Sequence, residues 1–208
     1  MSNPIYESGI ILLAAGASTR LGQPKQLLKF QGETLIVKTI KTALRTPSRP
    51  IIVVLGAYYA AIHAAIPKEI QDEIIVVENK DWQQGMSTSV RLGLETLRHY
   101  HKNIHSALFL LSDQPLLTTA HLLHLIEQAA SNLNSPSSIV ASFYNERLGV
   151  PAVFDQKWFP ELLQLRGDQG ARKILEAHAA EVLPIPFPEG AFDIDTPENY
   201  DFLIRHFA

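Results

Sequence analysis

A loop of small residues that carries two cations is the part of the sequence best suited to chemistry. It reads LLAAGASTRLGQPK at residues 12–25, and its cations are Arg20 and Lys25. The small residues at 14–16 let backbone N–H groups approach an anion closely. Because an arginine fork and a lysine point charge together suit a triphosphate, we predict phosphate binding here. The alternative is a surface loop with two solvated cations.

Two common nucleotide-binding patterns are absent from this loop. No Gly-Lys-Ser or Gly-Lys-Thr follows its glycines, so the loop is not a Walker A motif. It also lacks the Gly-x-Gly-x-x-Gly spacing of dinucleotide-binding proteins. The sequence therefore argues against a P-loop ATPase and against a Rossmann dehydrogenase.

Three aspartates could complete the site with a metal ion. Asp113 follows an apolar run at 107–111, which places it at the carboxyl end of a predicted strand. Asp193 and Asp195 flank one isoleucine, and in an extended segment their alternating side chains project to the same side. Carboxylate oxygens suit Mg²⁺, which is a hard ion. The alternatives are an ordinary turn residue for Asp113 and a helix cap for Asp195.

Short apolar runs alternate with amphipathic stretches along the chain. Runs typical of strands buried on both faces lie at residues 9–14, 50–55, 74–77, 107–111 and 138–141. Helical patterns between them lie at residues 35–45, 57–65, 87–98 and about 118–130. This order predicts an α/β fold with a doubly wound, mostly parallel sheet flanked by helices and joined by right-handed crossovers.

The pattern changes in the last third of the chain. A strand at 149–154 has a proline that predicts an edge or a bulge. Short helices near 156–165 and 168–177, a strand at 181–185 and a helix at 197–206 capped by Thr196 follow. Residues 131–138 are predicted to form a surface loop. The histidine pairs at 101 and 105 and at 121 and 124 lack further ligands nearby, so we expect solvated surface rather than zinc sites.

The composition bounds the class of protein. The chain has 208 residues, 46% hydrophobic and 19% charged, which suits one globular domain. Its net charge of −3 does not indicate nucleic acid or an anionic membrane as a partner. It has no cysteine, which excludes disulfides, thiolate metal sites and a cysteine nucleophile. No run resembles a membrane span or signal peptide, so we expect a cytoplasmic protein.

Six motifs, in order along nearly the whole chain, resemble those of the nucleotidyltransferases related to molybdenum cofactor cytidylyltransferase. They are LAAGxSxRLGxPK at 13–25, QGMSxSVxxGL at 84–94, DQP at 113–115, GxP at 149–151, GDQGAR at 167–172 and DIDTPE at 193–198. One short motif alone would be weak evidence, but six in the right order make a specific signal. The resemblance implies a Rossmann-like nucleotidyltransferase fold in a single domain, residues 1–208. Its nucleotide-binding half would run to about residue 115 and its acceptor-binding half from about residue 116.

The resemblance also implies a reaction. The terminal phosphate of molybdopterin would attack the α-phosphorus of CTP, giving molybdopterin cytosine dinucleotide and pyrophosphate. Arg20 and Lys25 would stabilise charge on the triphosphate. Asp113 would bind Mg²⁺, or Mn²⁺ in its place, together with Asp195 or Asp193, with a slight preference for Asp195. Such a transfer needs positioning, charge neutralisation and a divalent cation rather than a covalent nucleophile.

Further site residues divide between the two substrates. Those predicted to bind the nucleotide, besides Arg20 and Lys25, are Leu13, Ala14, Ala15, Gly16, Gly85, Ser87 and Ser89. The glycine at 85 leaves room for a base, and the two serines can hydrogen-bond base or ribose, with ordinary helix capping as the alternative for Ser87. Those predicted to shape the acceptor side are Gly149, Pro151, Asp168 and Arg172. Arg172 would pair with a phosphate or, alternatively, form a helix salt bridge.

Ala15 bears on the choice of nucleotide. Relatives with Ala-Ala-Gly here tend to use pyrimidine nucleotides, and guanylyl-transferring relatives carry Ala-Gly-Gly, so the resemblance favours CTP over GTP. The alternatives are the same chemistry with GTP or with a sugar or polyol phosphate acceptor, and a non-catalytic carrier that hands the cofactor to a molybdenum hydroxylase. Transient contact with a recipient molybdoenzyme is compatible with an enzyme as well as with a carrier.

Overall fold

The computed structural model describes residues 7–132 and 138–207. Its strands are β1 (Ser8–Ala14), β2 (Lys29–Phe30), β3 (Glu33–Thr34), β4 (Ile51–Leu55), β5 (Ile75–Glu78), β6 (Ser106–Leu111), β7 (Ile139–Tyr144), β8 (Arg147–Asp155) and β9 (Val182–Pro186). Its α-helices are α1 (Leu35–Leu44), α2 (Tyr59–Ala64), α3 (Lys68–Gln71), α4 (Met86–Tyr100), α5 (Thr119–Ser131), α6 (Phe159–Gln164), α7 (Arg172–Ala177) and α8 (Pro197–Phe207). Short 3-10 helices lie at Lys25–Leu27, Trp82–Gln84, Gln156–Trp158, Ala179–Glu181 and Pro188–Ala191. The predicted surface loop at 131–138 lies, except for its ends, outside the described residues.

Seven of these strands form one sheet in the order β5-β4-β1-β6-β8-β7-β9. Strand β1 pairs in parallel with β4 and with β6, and β4 pairs in parallel with β5. Strand β8 is antiparallel to both of its neighbours, and β9 is parallel to β7. The predicted doubly wound, mostly parallel sheet is confirmed. The strand order reverses between β1 and β6, and ligands of open α/β sheets bind at such a switch point.

Helices cover both faces of the sheet. Helices α1, α2, α3 and α5 pack on one face, and α4, α6 and α7 pack on the other. In β1 the side chains of Ile10 and Leu12 enter the first layer, while those of Ile11 and Leu13 enter the second. A strand covered on both sides is apolar throughout, which explains the continuous run in the sequence. No helix in the described ranges is both long and apolar enough to cross a membrane.

The proline of β8 occupies a bulge inside the sheet. Strand β8 lies between β6 and β7, so the edge alternative is wrong. The register with β7 pairs Ala141 with Ala152 but Ser142 with Gly149, so Val150 and Pro151 have no partner across the strands. The bulge alternative is therefore confirmed, since a bulge tolerates the missing N–H of proline.

Several element boundaries differ from the sequence predictions. The helix predicted from residue 168 begins only at Arg172, because Gly167 has a positive φ of 56° and residues 166–170 form a loop. The helix predicted at 57–65 is shorter, Tyr59–Ala64. The hairpin of β2 and β3 and the single turn of α3 were not predicted, since elements of two to four residues carry no measurable periodicity.

A small separate core connects the C-terminal helix to the loop after β1. Its buried members are Leu21, Leu28, Phe30, Leu35, Ile194 and Leu203. Leu21 belongs to the cationic loop, Ile194 separates the two C-terminal aspartates, and Leu203 lies on α8. Burial of these apolar side chains, about 1.5–3 kcal/mol for each large one, therefore fixes the aspartates relative to the loop.

Candidate active site

A buried glutamine organises the loop that follows β1. The Nε2 of Gln26 donates to the carbonyl oxygens of Ala14 at 2.9 Å and Gly16 at 3.1 Å. The N–H of Ala57 donates to the carbonyl of Ala15 at 3.0 Å. These bonds hold the carbonyl side of the loop against the protein, an arrangement that favours anion binding by its N–H side. Sequence reasoning missed Gln26, since nothing in the local pattern distinguishes a buried glutamine from a solvated one.

Lys25 lies between two carboxylates. Its Nζ is 2.6 Å from Asp113 Oδ2 and 3.2 Å from Asp195 Oδ1. The side chains of Lys25 and Asp113 are only 16% and 15% exposed. Burial alone would lower the pKa of the Lys25 ammonium, but the charges and hydrogen bonds of Asp113 and Asp195 outweigh burial and raise the pKa above its ordinary value. Lys25 is therefore a fixed cation at neutral pH.

Asp195 pairs with both cations of the loop. Besides Lys25 it accepts a hydrogen bond from Arg20 Nη2 at 2.8 Å. The next residue caps α8, because the hydroxyl of Thr196 accepts from the N–H of Asn199 at 3.3 Å. The predicted cap of this helix is confirmed at Thr196, which leaves the carboxylate of Asp195 for ion pairs. The Arg20 side chain is 71% exposed and so is free to change partner.

Asp193 faces the same group of charges. The N–H of Ile194 donates to the carbonyl of Asp113 at 3.1 Å, so the C-terminal segment runs alongside the end of β6. Burial, together with the nearby charges of Asp113 and Asp195, raises the pKa of Asp193 to about 6. Crowding of carboxylates in one partly buried place is the arrangement that a cation relieves.

The carboxylates fit a divalent cation, although they do not form a complete cage. In residues 7–132 and 138–207 no group of three or more His, Cys, Asp or Glu side chains is arranged to hold a metal ion. However, Asp113 Oδ1 and Asp193 Oδ1 are both buried without a hydrogen-bond partner among the described residues. Mg²⁺ typically takes one or two carboxylates and completes its shell with substrate phosphates. The unpartnered oxygens favour Asp113 and Asp193 as ligands, and the metal role of all three aspartates stays a prediction.

Two cavities meet at Lys25. The first has a volume of about 380 Å³ and is lined by residues 13–17 of the loop, by Trp82, Gln83, Gly85, Met86 and Ser89, and by Asp113 and Asp168, among others. The second, about 190 Å³, is lined by Gly16, Ser18, Thr19, Arg20, Lys25, Ile194 and Asp195. Gly16 and Lys25 line both cavities. A nucleoside in the first cavity and two phosphates in the second would place the α-phosphate beside Lys25.

The structure brings most of the predicted nucleotide residues to the first cavity, whereas Arg20 lines the second cavity and Ser87 lines neither. Leu13, Ala14, Ala15, Gly16, Gly85 and Ser89 line it. Ser89 Oγ accepts from Asn79 Nδ2 at 2.9 Å, so the serine can still donate its own proton to a ligand. Ser87 is buried and does not line the cavity; its N–H donates to the carbonyl of Gly167 at 3.0 Å. Helix α4 has Gly85 as its N-cap, so Ser87 is not the capping residue either.

The predicted acceptor residues do not form one group. Gly149 and Pro151 lie in the β8 bulge, which Gln114 Nε2 ties to the end of β6 through the carbonyl of Val150 at 3.0 Å. Asp168 instead lines the first cavity. The Nε of Arg172 donates to Glu176 at 2.7 Å, which is the helix salt bridge given as its alternative.

His121 supports the bulge from the neighbouring helix. Ser142 Oγ donates to the carbonyl of Pro151 at 2.8 Å, so it accepts from His121 Nε2, also at 2.8 Å. The imidazole stacks on Phe187 with ring centroids 4.2 Å apart. Burial, followed by the charge of His124, lowers the pKa of His121 to about 4. The prediction of a solvated surface histidine is wrong at this position.

The similarity of the chain to known proteins extends over most of its length. The family model for the MobA-like NTP transferase domain matches residues 10–182. Nicotine blue oxidoreductase of Paenarthrobacter nicotinovorans is 34% identical over 202 residues, covering 91% of this chain and 92% of that protein. Purine catabolism protein PucB of Bacillus subtilis (strain 168) is 31% identical over 204 residues, covering 94% and 95%. Molybdenum cofactor cytidylyltransferase of Escherichia coli (strain K12) is 27% identical over 190 residues, covering 91% and 92%.

Solved structures are also similar to this chain over nearly its whole length. Rv0371c of Mycobacterium tuberculosis H37Rv superposes with a TM-score of 0.78 and 28% identity, covering 96% of this chain and 98% of the other. The complex of Rv0371c with manganese has a TM-score of 0.76 and 27% identity, covering 96% and 99%. A protein of closely similar fold therefore holds a divalent cation.

Proposed function

Because the chain belongs to the MobA-like NTP transferase domain family, we propose that it transfers the CMP moiety of CTP to molybdopterin with the help of Mg²⁺. The products are molybdopterin cytosine dinucleotide and pyrophosphate. The observation that carries this proposal is the position of Lys25, which lines both cavities and contacts Asp113 and Asp195. The similarity to the Escherichia coli protein named molybdenum cofactor cytidylyltransferase supports the choice of substrates.

The chemistry needs no covalent enzyme intermediate. An oxygen of the terminal phosphate of the pterin forms a bond to the α-phosphorus of CTP. The bond from that phosphorus to the oxygen bridging to the β-phosphate breaks, and pyrophosphate leaves with the electron pair. Charge develops on the phosphoryl oxygens during this displacement, and a fixed ammonium such as that of Lys25 stabilises it.

Arg20 and the small cavity account for the pyrophosphate. Arg20 lines the second cavity and is bonded to Asp195 at a largely exposed position. When phosphates enter, its guanidinium can exchange the carboxylate for phosphate oxygens, which it binds with two parallel N–H groups. This exchange would place a positive charge on the leaving pyrophosphate.

Asp113 and Asp193 would hold the divalent cation. When bound, the ion neutralises charge on the triphosphate as a Lewis acid. The manganese complex of Rv0371c supports a divalent metal and leaves Mn²⁺ as the alternative to Mg²⁺. The two buried unpartnered carboxylate oxygens are the donors that this chain offers.

Ala15 and the acceptor side bear on the two substrates. Ala15 lines the first cavity, where the resemblance of the loop to pyrimidine-using relatives supports CTP over GTP. Gly149 and Pro151 are proposed to shape the pterin side, with a sugar or polyol phosphate as the alternative acceptor. Arg20, Lys25 and the aspartates converge on one site, which favours catalysis over a carrier role. Delivery of the product to a recipient molybdoenzyme through transient contact is part of the proposal.

One incubation series tests this proposal. The protein is mixed with molybdopterin cofactor, Mg²⁺ or Mn²⁺, and each of the four nucleoside triphosphates in turn. Pyrophosphate is measured, and the nucleotide released from the product by mild hydrolysis is identified. Pyrophosphate and CMP with CTP alone are expected. Release of GMP from the product would show that the protein uses GTP instead of CTP. Tight pterin binding without pyrophosphate release from any nucleotide would indicate a carrier instead of an enzyme.

A further inference from the structure

Residues 166–170, here called the strap, lie across the start of α4. The N–H of Ser87 donates to the carbonyl of Gly167 at 3.0 Å. Gly85 has a φ of 108°, and a Cβ placed on it would collide with the Gly167 carbonyl and lie 2.7 Å from the N of Asp168. Only glycine is compatible with this backbone conformation and this close approach. The strap therefore belongs to the wall of the first cavity.

Asp168 is the residue of the strap that reaches the first cavity. Its side chain is exposed and lines the cavity together with Ala15, Gly85 and Ser89. Within the described ranges it has neither a hydrogen-bond partner nor an ion-pair partner. The other carboxylate of this cavity, Asp113, is bonded to Lys25 at 2.6 Å. Asp168 is thus an unpaired anion beside the residues assigned to the nucleoside.

We infer that Asp168 is a specificity-determining residue, which accepts a hydrogen bond from the exocyclic amine of cytosine and disfavours uracil. This inference rests on the proposed function, since it names what selects the nucleotide at the same site. An ionised carboxylate can only accept hydrogen bonds, and carboxylates recognise cytosine through its N4 amine. Uracil presents a carbonyl oxygen at that position, so two acceptors would face each other.

The surroundings of Asp168 suit a planar base. The half-buried ring of Trp82 and the exposed side chain of Met86 line the same cavity and offer apolar surface. Ser89 offers a hydroxyl proton, because its oxygen already accepts from Asn79. The cavity thus combines apolar walls with several polar side chains that can orient a ligand, as small-molecule sites do. Among the carboxylates of this cavity, Asp113 is bonded to Lys25, and Asp168 is the one that can accept a hydrogen bond from an amine without giving up a partner.

Equilibrium binding of CTP and UTP, each with Mg²⁺ and without acceptor, tests the inference by isothermal titration calorimetry. The variants are Asp168→Asn, Asp168→Ala and the control Asp201→Asn, an exposed position on α8. An amide can offer either its oxygen or its NH₂, so Asp168→Asn accepts both bases. The preference for CTP over UTP should fall by roughly 10- to 100-fold in Asp168→Asn, the range expected for one good base contact. It should also fall in Asp168→Ala and stay unchanged in the control.

The outcomes separate this inference from the proposed function. Binding of CTP with an unchanged preference in both Asp168 variants overturns the inference, even if pyrophosphate release from CTP with molybdopterin is observed. A preference that depends on Asp168, in a protein that releases no pyrophosphate with molybdopterin, supports the inference and contradicts the proposed transfer. Absence of CTP binding to the wild-type protein, folded by circular dichroism, overturns both.

Discussion

Replacing Lys25 with alanine removes a cation that touches both Asp113 and Asp195 and lines both cavities. Loss of one preorganised group that stabilises transition-state charge costs about 10²–10³-fold in kcat, or about 2.7–4 kcal/mol. We expect Lys25→Ala to reduce kcat for pyrophosphate release by this factor. The KM for CTP should rise less, because Arg20 and the loop N–H groups, the other groups proposed to bind the triphosphate, are kept.

The same change should lower stability by a limited amount. Asp113 Oδ1 has no hydrogen-bond partner in the part of the chain that the structure describes, so without Lys25 the whole carboxylate, 15% exposed, lacks a hydrogen bond to a side chain there. Leaving a buried polar group unsatisfied costs about 1–3 kcal/mol. For a chain of 208 residues this corresponds to a decrease in Tm of about 2–12 °C. The variant should remain folded at 25 °C, where its activity can be compared with that of the wild type.

Pyrophosphate release at saturating CTP and Mg²⁺, with thermal unfolding measured on the same preparations, gives both quantities. The matched control is Lys41→Ala, which removes an exposed lysine paired with Glu33 outside the site. An exposed pair contributes about 0–1 kcal/mol, so both readouts should stay close to wild type in the control. Full pyrophosphate release by Lys25→Ala would refute the role assigned to Lys25.

Three further changes test other parts of the site. If Asp113 is a metal ligand as proposed, Asp113→Asn should reduce kcat by at least about 100-fold and raise the Mg²⁺ concentration needed for half-maximal pyrophosphate release, because an anionic ligand is replaced by a neutral amide. An unchanged Mg²⁺ requirement would exclude Asp113 as a ligand. Gly149→Ala places a Cβ against the Tyr144 hydroxyl, so the KM for the acceptor should rise while CTP binding measured by calorimetry is unchanged. The pKa of His121 is about 4 in the folded protein instead of 6.5, so between these values the unfolded chain binds a proton that the folded protein does not. The free energy of unfolding should therefore fall by up to about 3 kcal/mol as pH decreases from 6.5 to 4. Urea denaturation of His121→Gln, which keeps a donor to Ser142, should lack this part of the pH dependence.

The central strands and the cationic loop could be predicted because their signals are local. A parallel strand covered on both faces needs a continuous apolar run, and β1, β4 and β6 show such runs. The carboxyl ends of parallel neighbours lie at one edge of a sheet, so pairing of β1 with β6 brings the loop and Asp113 together. The contact between Lys25 and Asp113 follows from this topology.

The strap and the supports of the site could not be predicted, since they depend on contacts between distant segments. Asp168 belongs to a motif that contacts the start of α4. This contact forms because α6 and α7 pack on the same face of the sheet as α4, and that packing is not visible in the local sequence. Gln26 and His121 are polar residues that would also be normal on a surface. Gln26 is buried because the loop after β1 folds over it, and His121 is partly buried because it lies beside the β8 bulge.

The predicted division near residue 115 into a nucleotide-binding half and an acceptor-binding half follows the order of the motifs along the chain. The candidate site, however, takes residues from both halves. Lys25 and Asp113 precede that point, while Asp168, Asp193 and Asp195 follow it, and all five line the two cavities or carry charge beside them. The pairing of β6 with β8 joins the two parts in the sheet, and the small core around Ile194 adds a contact beside the site, because it packs Leu21 of the loop against α8. Charge arrangement at the site therefore depends on apolar packing behind it. A substitution that loosens this core would separate the aspartates from Lys25 without altering any group that touches a substrate.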